Sequence, residues 1–200
     1  MNIAIIDDDP AVRKILKNIV EDNGIGKVIF EYEDGSYVDD VEFYKKEINV
    51  IMTDLIMPVK SGIDGIKDLH KKDYKGSIIM LSQVKDKQFI GEAYTLGIDY
   101  FINKPINIIE VVSVFNKVRE KLTLQQLVEK YEREKFKSLL TATELKILKL
   151  ISLRLTQTEI AEQLCITLQT VKNHITNILK KTSSFNSKDA ARKAKEMQLI

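Results

Sequence analysis

Over its first 122 residues the chain repeats one pattern five times: a short, nearly continuous apolar run followed by an amphipathic stretch. The runs at 2–6, 27–30, 50–53, 77–81 and 100–102 read as strands buried on both faces. The stretches between them have helical spacing. Residues 10–22 carry Val12, Ile15, Leu16, Ile19 and Val20 and stop at Asn23-Gly24. Residues 36–47 place Tyr37, Val41 and Tyr44 on one side, 62–71 form a third helix, 86–96 a fourth closed by Gly97, and a long charged helix runs over 107–137. Strands alternating with helices predict an α/β fold, a doubly wound, five-stranded parallel sheet covered on both faces. In such sheets ligands sit beyond the carboxyl ends of the strands, so chemistry is sought just after each run.

The last 63 residues lose the strand pattern. Four helices are expected, at 140–153, 157–164, 168–181 and 188–199. Thr141 stands three residues before Glu144, and Thr156 three before Glu159, the signature of a capping box. Thr167 caps the third helix, and Asn186 or Ser187 the fourth. The expected organisation is an α/β domain over 1–120, a helical linker over 121–137 and an all-α domain over 138–200. Leu124, Leu127 and Tyr131 continue an apolar stripe through the linker, as a dimer contact or as an amphipathic surface packed on the chain's own domains.

A hydrophobic content of 44% is enough for a packed core. The single cysteine, Cys165, excludes an internal disulfide and fits a reducing compartment. No stretch approaches the ~20 apolar residues of a membrane span, so a soluble, cytoplasmic protein with no membrane partner is expected. Residues 1–122 carry 17 Lys/Arg against 21 Asp/Glu, whereas 123–200 carry 14 against 8. An acidic half joined to a basic half suggests that the second half meets a polyanion.

Asp7, Asp8, Asp54, Ser82 and Lys104 all fall at expected carboxyl ends of strands. Three carboxylates at one sheet edge repel one another unless a cation neutralises them. An all-oxygen donor set without thiolate or imidazole points to a hard divalent ion, Mg²⁺. Such a site suits a phosphoryl group. Asp54 is the natural nucleophile, Lys104 supplies a point charge for one phosphoryl oxygen, and the Ser82 hydroxyl donates to another. Pro105 leaves the isomer of the preceding peptide bond open.

In the second half, a short helix, the tight turn Cys165-Ile166-Thr167 and a longer helix make a helix-turn-helix pattern. Leu168, Val171, Ile175, Ile178 and Leu179 form the expected buried face of the longer helix. The opposite face offers Gln169, Thr170, Lys172, Asn173, Thr176, Asn177 and Lys180 without one acid, the chemistry of base edges and phosphates in double-stranded DNA.

The segments IAIIDDDPAVRK, VIMTDLIMPVKSGIDG, IIMLSQ and DYFINKP resemble the receiver domain of two-component response regulators, over roughly residues 1–120. The resemblance implies a flavodoxin-like receiver with Asp7 and Asp8 as an acid pair and Asp54 as the phosphoacceptor. It implies Mg²⁺ held by Asp8, Asp54 and the backbone carbonyl of Ile56, and phosphoryl sensing by Ser82 and Lys104. It assigns Phe101, coupled to Ser82, as the switch aromatic. Ile56 and Val84 match positions that tune dephosphorylation, and both are apolar here.

LTATELKILKLISLRLTQTEIAEQLCITLQTVKNHITNILKKT resembles the LuxR/NarL/FixJ effector domain, over about residues 138–200. Position by position, that resemblance implies base contacts from Lys172, Asn173 and Thr176, and phosphate contacts from Thr170, Asn177, Lys180 and Lys181. It makes the last helix a dimerisation helix. Thr143 departs from the group, which often has Arg there, and Arg154 and Cys165 stand where the group commonly has glycine. Together the resemblances imply a non-metabolic regulator, phosphorylated by a sensor histidine kinase and forming a DNA-binding homodimer when phosphorylated. The competing readings are a Mg²⁺-dependent phosphotransfer enzyme and a constitutive DNA-binding protein with a vestigial receiver.

Overall fold

A computed structural model of the chain describes residues 1–83 and 94–200. It divides into two compact units, Met1–Glu120 and Lys121–Ile200. The helix expected at 86–96 lies outside the described residues except for its end, which is followed by Gly97 at φ 75°. Val84 also lies outside them.

In the first unit the order is β1 (Asn2–Ile6), α1 (Pro10–Asp22), β2 (Lys27–Tyr32), a 3-10 turn (Gly35–Asp39), α2 (Val41–Lys45), β3 (Val50–Asp54), α3 (Gly62–Lys71), β4 (Ser77–Ser82) and β5 (Tyr100–Asn103). The five strands form one parallel sheet in the order β2-β1-β3-β4-β5. Every residue of β3 and β4 is buried, as strands covered on both faces require. The chain crosses from β2 past β1 to reach β3, so the ends of β1 and β3 are neighbours, with Ile6 opposite Thr53. Asp54 pairs with Leu81, and Ser82 with Asn103. The residues after β1, β3, β4 and β5 thereby share one edge.

The helix over 36–47 is not continuous. Asp40 is extended, at φ −78° and ψ 116°, and its side chain accepts the Glu42 N–H to start α2 afresh. This resets the phase, so Tyr37, Val38 and Phe43 are buried while Val41 and Tyr44 are exposed. The buried three join Ala4, Ile6, Ile51 and Leu69 in one core cluster. At the start of α1, Asp9 accepts the Ala11 N–H at 2.8 Å and Pro10 takes the first helical position.

The long helix α4 (Ile108–Leu139) contains the division between the units. The second unit adds α5 (Ala142–Ser152), α6 (Gln157–Gln163), α7 (Leu168–Thr182) and α8 (Ser187–Glu196). Both capping boxes form, at Thr141–Glu144 and Thr156–Glu159. Ile147, Leu148, Ile160, Val171, Ile178 and Ala190 are central to the core. The Ala190, Ala191 and Ala194 face of α8 is buried in this core. That helix ends at Glu196 rather than 199, because Gln198 turns left-handed at φ 53°. Arg154 and Cys165 also take left-handed backbone, at φ 68° and 53°, although neither is glycine.

Candidate functional site

The sheet order brings the acids together. Carboxylate oxygens of Asp7, Asp8 and Asp54 all lie within 4.8 Å of one another. Asp7 follows β1 and is fully buried, Asp54 ends β3 and is 9% exposed, and Asp8 is exposed. The Lys104 ammonium, just past β5, lies 2.7 Å from Asp7 Oδ2 and 2.8 Å from Asp54 Oδ2. The Leu55 N–H donates to Asp54 Oδ1 at 2.7 Å, and the Asp9 N–H to Asp7 Oδ1 at 3.1 Å. The Lys104–Pro105 peptide bond is cis.

Burial pushes the Asp7 carboxyl above the usual carboxylate range, against the lowering effects of Lys104 and the Asp9 N–H, and Asp54 adds repulsion. Burial opposes the charge on Lys104, but its bonds to Asp54 and Asp7 outweigh that and raise its pKa overall. One lysine offsets only one of three carboxylates. Asp7 Oδ2 is buried and, apart from the Lys104 ion pair, accepts no hydrogen bond among the described residues. A buried oxygen without a well-aligned donor, in an all-oxygen set with excess negative charge, fits a hard divalent cation.

Ser82 is 4% exposed, and its carbonyl accepts the Lys104 N–H at 3.0 Å, so the ends of β4 and β5 are tied together. Ile56, two residues beyond Asp54, exposes 72% of its surface. Phe101 is half-buried on the Leu55, Ile66 and Met80 cluster, and its ring meets Tyr94 edge-on at 5.3 Å between centroids.

Two further residues shape the pocket. The Arg13 guanidinium donates to the Asp7 carbonyl at 2.6 Å and to the Asp8 carbonyl at 3.4 Å, bracing the acid turn from α1. Gly62 opens α3 directly against β3, and a Cβ there would stand 2.0 Å from the Asp54 carbonyl oxygen. The only sequence signal for either was membership of the quoted receiver segments.

On α7 the side chains divide as helical geometry demands. Val171, Ile175, Ile178 and Thr182 are buried, and Lys172, Asn173, Thr176, Asn177 and Lys180 are exposed. Leu168, expected in the core, is 38% exposed because the first helical position stands at the domain edge. Thr170 is half-buried in the cap, with its N–H and hydroxyl on Thr167 Oγ1 at 3.1 and 2.8 Å. Asn173 Oδ1 accepts from Gln169 Nε2 at 3.0 Å. Lys181 differs from its neighbours: its ammonium donates to both oxygens of Glu144, a residue 2% exposed.

The sequence model of the response regulator receiver domain matches residues 3–116, and that of the luxR family of bacterial regulatory proteins matches 138–194. The chain belongs to the response regulators. Transcriptional regulatory protein LiaR of Bacillus subtilis is 31% identical over 211 residues, spanning 100% of this chain and 99% of LiaR. The nitrate/nitrite response regulator protein NarP of Escherichia coli is 30% identical over 190 residues, or 90% and 87% of the two chains. Transcriptional regulatory protein GlnL of B. subtilis is 45% identical over 128 residues; the match takes in 64% of this chain but only 40% of GlnL. Full-length FixJ from B. japonicum shares the fold at a TM-score of 0.54 and 19% identity, with 100% of this chain and 98% of FixJ covered. This response regulator therefore pairs a receiver domain with a LuxR-family DNA-binding domain. Among the described residues no helix is long and apolar enough to cross a membrane.

Proposed function

We propose that this response regulator acts in the cytoplasm as the output of a two-component phosphorelay, with Asp54 as its phosphoacceptor. A sensor histidine kinase or a small phosphodonor supplies the phosphoryl group. One Asp54 carboxylate oxygen forms the new P–O bond as the donor's bond to phosphorus breaks, and the donor keeps that electron pair. The observation that carries the reading is the Lys104 ammonium between Asp7 and Asp54, at 2.7 and 2.8 Å.

Each side chain then has a task. The Leu55 N–H and Lys104 hold the two oxygens of Asp54, which fixes the carboxylate plane. Lys104 offers its charge to a phosphoryl oxygen and Ser82 its hydroxyl to another. Asp7, Asp8, Asp54 and the Ile56 carbonyl would hold Mg²⁺, which when bound neutralises charge on the phosphoryl oxygens. Phe101 follows Ser82 as the switch, since Leu81 and Ser82 pair with Ile102 and Asn103 on the strand that carries it. The site handles its own phosphoryl group and is not a metabolic enzyme.

Phosphorylation favours a homodimer whose two α7 helices read paired half-sites in double-stranded DNA. Lys172, Asn173 and Thr176 face base edges, and Thr170, Asn177 and Lys180 meet phosphates. Lys181, held by Glu144, serves the domain's own fold first. A gel shift tests the coupling. Phosphodonor plus Mg²⁺ should tighten DNA binding, and Asp54→Ala should abolish the gain. Equal affinity with and without phosphodonor in the wild type rejects it.

A further inference from the structure

We infer that the exposed apolar face of α4 from Leu124 to Tyr131 pairs with the same face of a second copy of this chain. The seam rests on the proposed function only for when the dimer forms.

From 123 to 135 this helix buries no side chain. Within this 32-residue helix the span nonetheless carries an apolar face. Leu124, Leu127, Val128 and Tyr131 follow the i, i+3, i+4, i+7 spacing of a single stripe, and are 62%, 57%, 56% and 66% exposed. An uncovered stripe of this kind marks an interaction surface rather than scattered surface apolar residues.

Charge decides the occupant. Residues 123–135 carry three acids and three bases, so two identical spans do not repel, and a strongly charged partner gains nothing from them. A two-fold pair also places one stripe against itself, the isologous contact of most homodimers. Four side chains with roughly 100 Å² each to cover give about 800 Å² in total, below the ~1,200 Å² of a stable interface. The seam alone is therefore weak. It holds when a second contact between the same two chains raises the effective concentration, which makes the dimer conditional.

Sedimentation equilibrium of the full-length, unphosphorylated protein tests the seam first. The wild type should self-associate weakly at high concentration, and Leu127→Glu with Val128→Glu should reduce the association constant by at least about tenfold. Circular dichroism and Asp54 phosphorylation should be unchanged, which separates a lost contact from a lost fold. Next, Val128→Cys in a Cys165→Ser background should form disulfide-linked dimers faster than Gln126→Cys on the opposite face, and phosphodonor should speed the former. A wild type that stays monomeric with and without phosphodonor, the same association constant in the double variant, or equal cross-linking at 126 and 128 overturns the seam. Absence of any phosphorylation at Asp54 sinks the proposed function instead, and the unphosphorylated measurements still decide the seam.

Discussion

Lys181 reaches back across 37 residues to Glu144 and donates to both carboxylate oxygens, at 3.0 and 2.8 Å. The same carboxylate accepts the Thr141 N–H at 2.7 Å. One buried acid thus closes the capping box of α5 and clamps the end of α7.

Adjacent lysines should therefore fail differently. Lys181→Ala leaves a buried carboxylate short of its partner and should destabilise the DNA-binding unit by about 1–2 kcal/mol. Lys180→Ala should leave stability unchanged but weaken DNA binding and lower the salt slope by about one. Thermal unfolding, together with anisotropy binding over a salt series, reads both. Equal losses of affinity without loss of stability would place the two side chains in the same role.

The Glu144 carboxyl also carries a pH signature. Burial raises its pKa, but Lys181 and the Thr141 donors outweigh this and hold it below its ordinary 4.5. A depressed folded-state value adds stability that is present above the unfolded pKa and lost as pH falls through the folded one. Thermal stability of the second unit should fall once pH drops below 4.5, and Glu144→Gln should flatten that fall while lowering stability at neutral pH. Parallel pH profiles for the two proteins would contradict this.

Gly62 should tolerate no side chain. Its Cβ would lie 2.0 Å from the Asp54 carbonyl and 2.9 Å from Thr53 Oγ1, so β3 or α3 must shift. Gly62→Ala should cost about 3 kcal/mol and slow phosphorylation of Asp54 by at least about tenfold. Gly24→Ala is the control. Its φ of 61° costs about 1 kcal/mol, with nothing within 4 Å of the added carbon, and phosphorylation should be unaffected. A full phosphorylation rate in Gly62→Ala would show that the site absorbs the displacement.

Arg154 and Cys165, at two of the turns between helices of the second unit, hold left-handed backbone without being glycine. Arg154→Gly and Cys165→Gly should each stabilise by about 0.5–1 kcal/mol, since glycine carries no Cβ against the following carbonyl. Chemical denaturation of the single and double variants measures this. Destabilisation by either would mean that its side chain contributes more than the strain removes.

The sheet was legible because nothing competes with five apolar runs for the centre of the molecule. The stretch at 36–47 was not, because its apolar spacing fits one helix and only the Asp40 cap divides it. At the acid pocket, Asp7, Asp8, Asp54 and Lys104 stood out because each follows a strand. Arg13 works through a backbone carbonyl and Gly62 through a missing atom, and neither leaves a periodic trace. Lys181 was assigned to DNA phosphates only by the family resemblance, while the acid that holds it lies in another helix.

The acid run at 7–9 contains three copies of one side chain in three different environments. Residue 7 is sealed inside, residue 8 reaches solvent, and residue 9 turns away to begin α1. Strand pleat and helix start alone sort them, so negative charge in this segment is not transferable: moving it by one position exchanges a buried anion for a wet one. Amide replacements along the run should therefore report three separate properties, and a rescue at one position by an acid at the next should not occur.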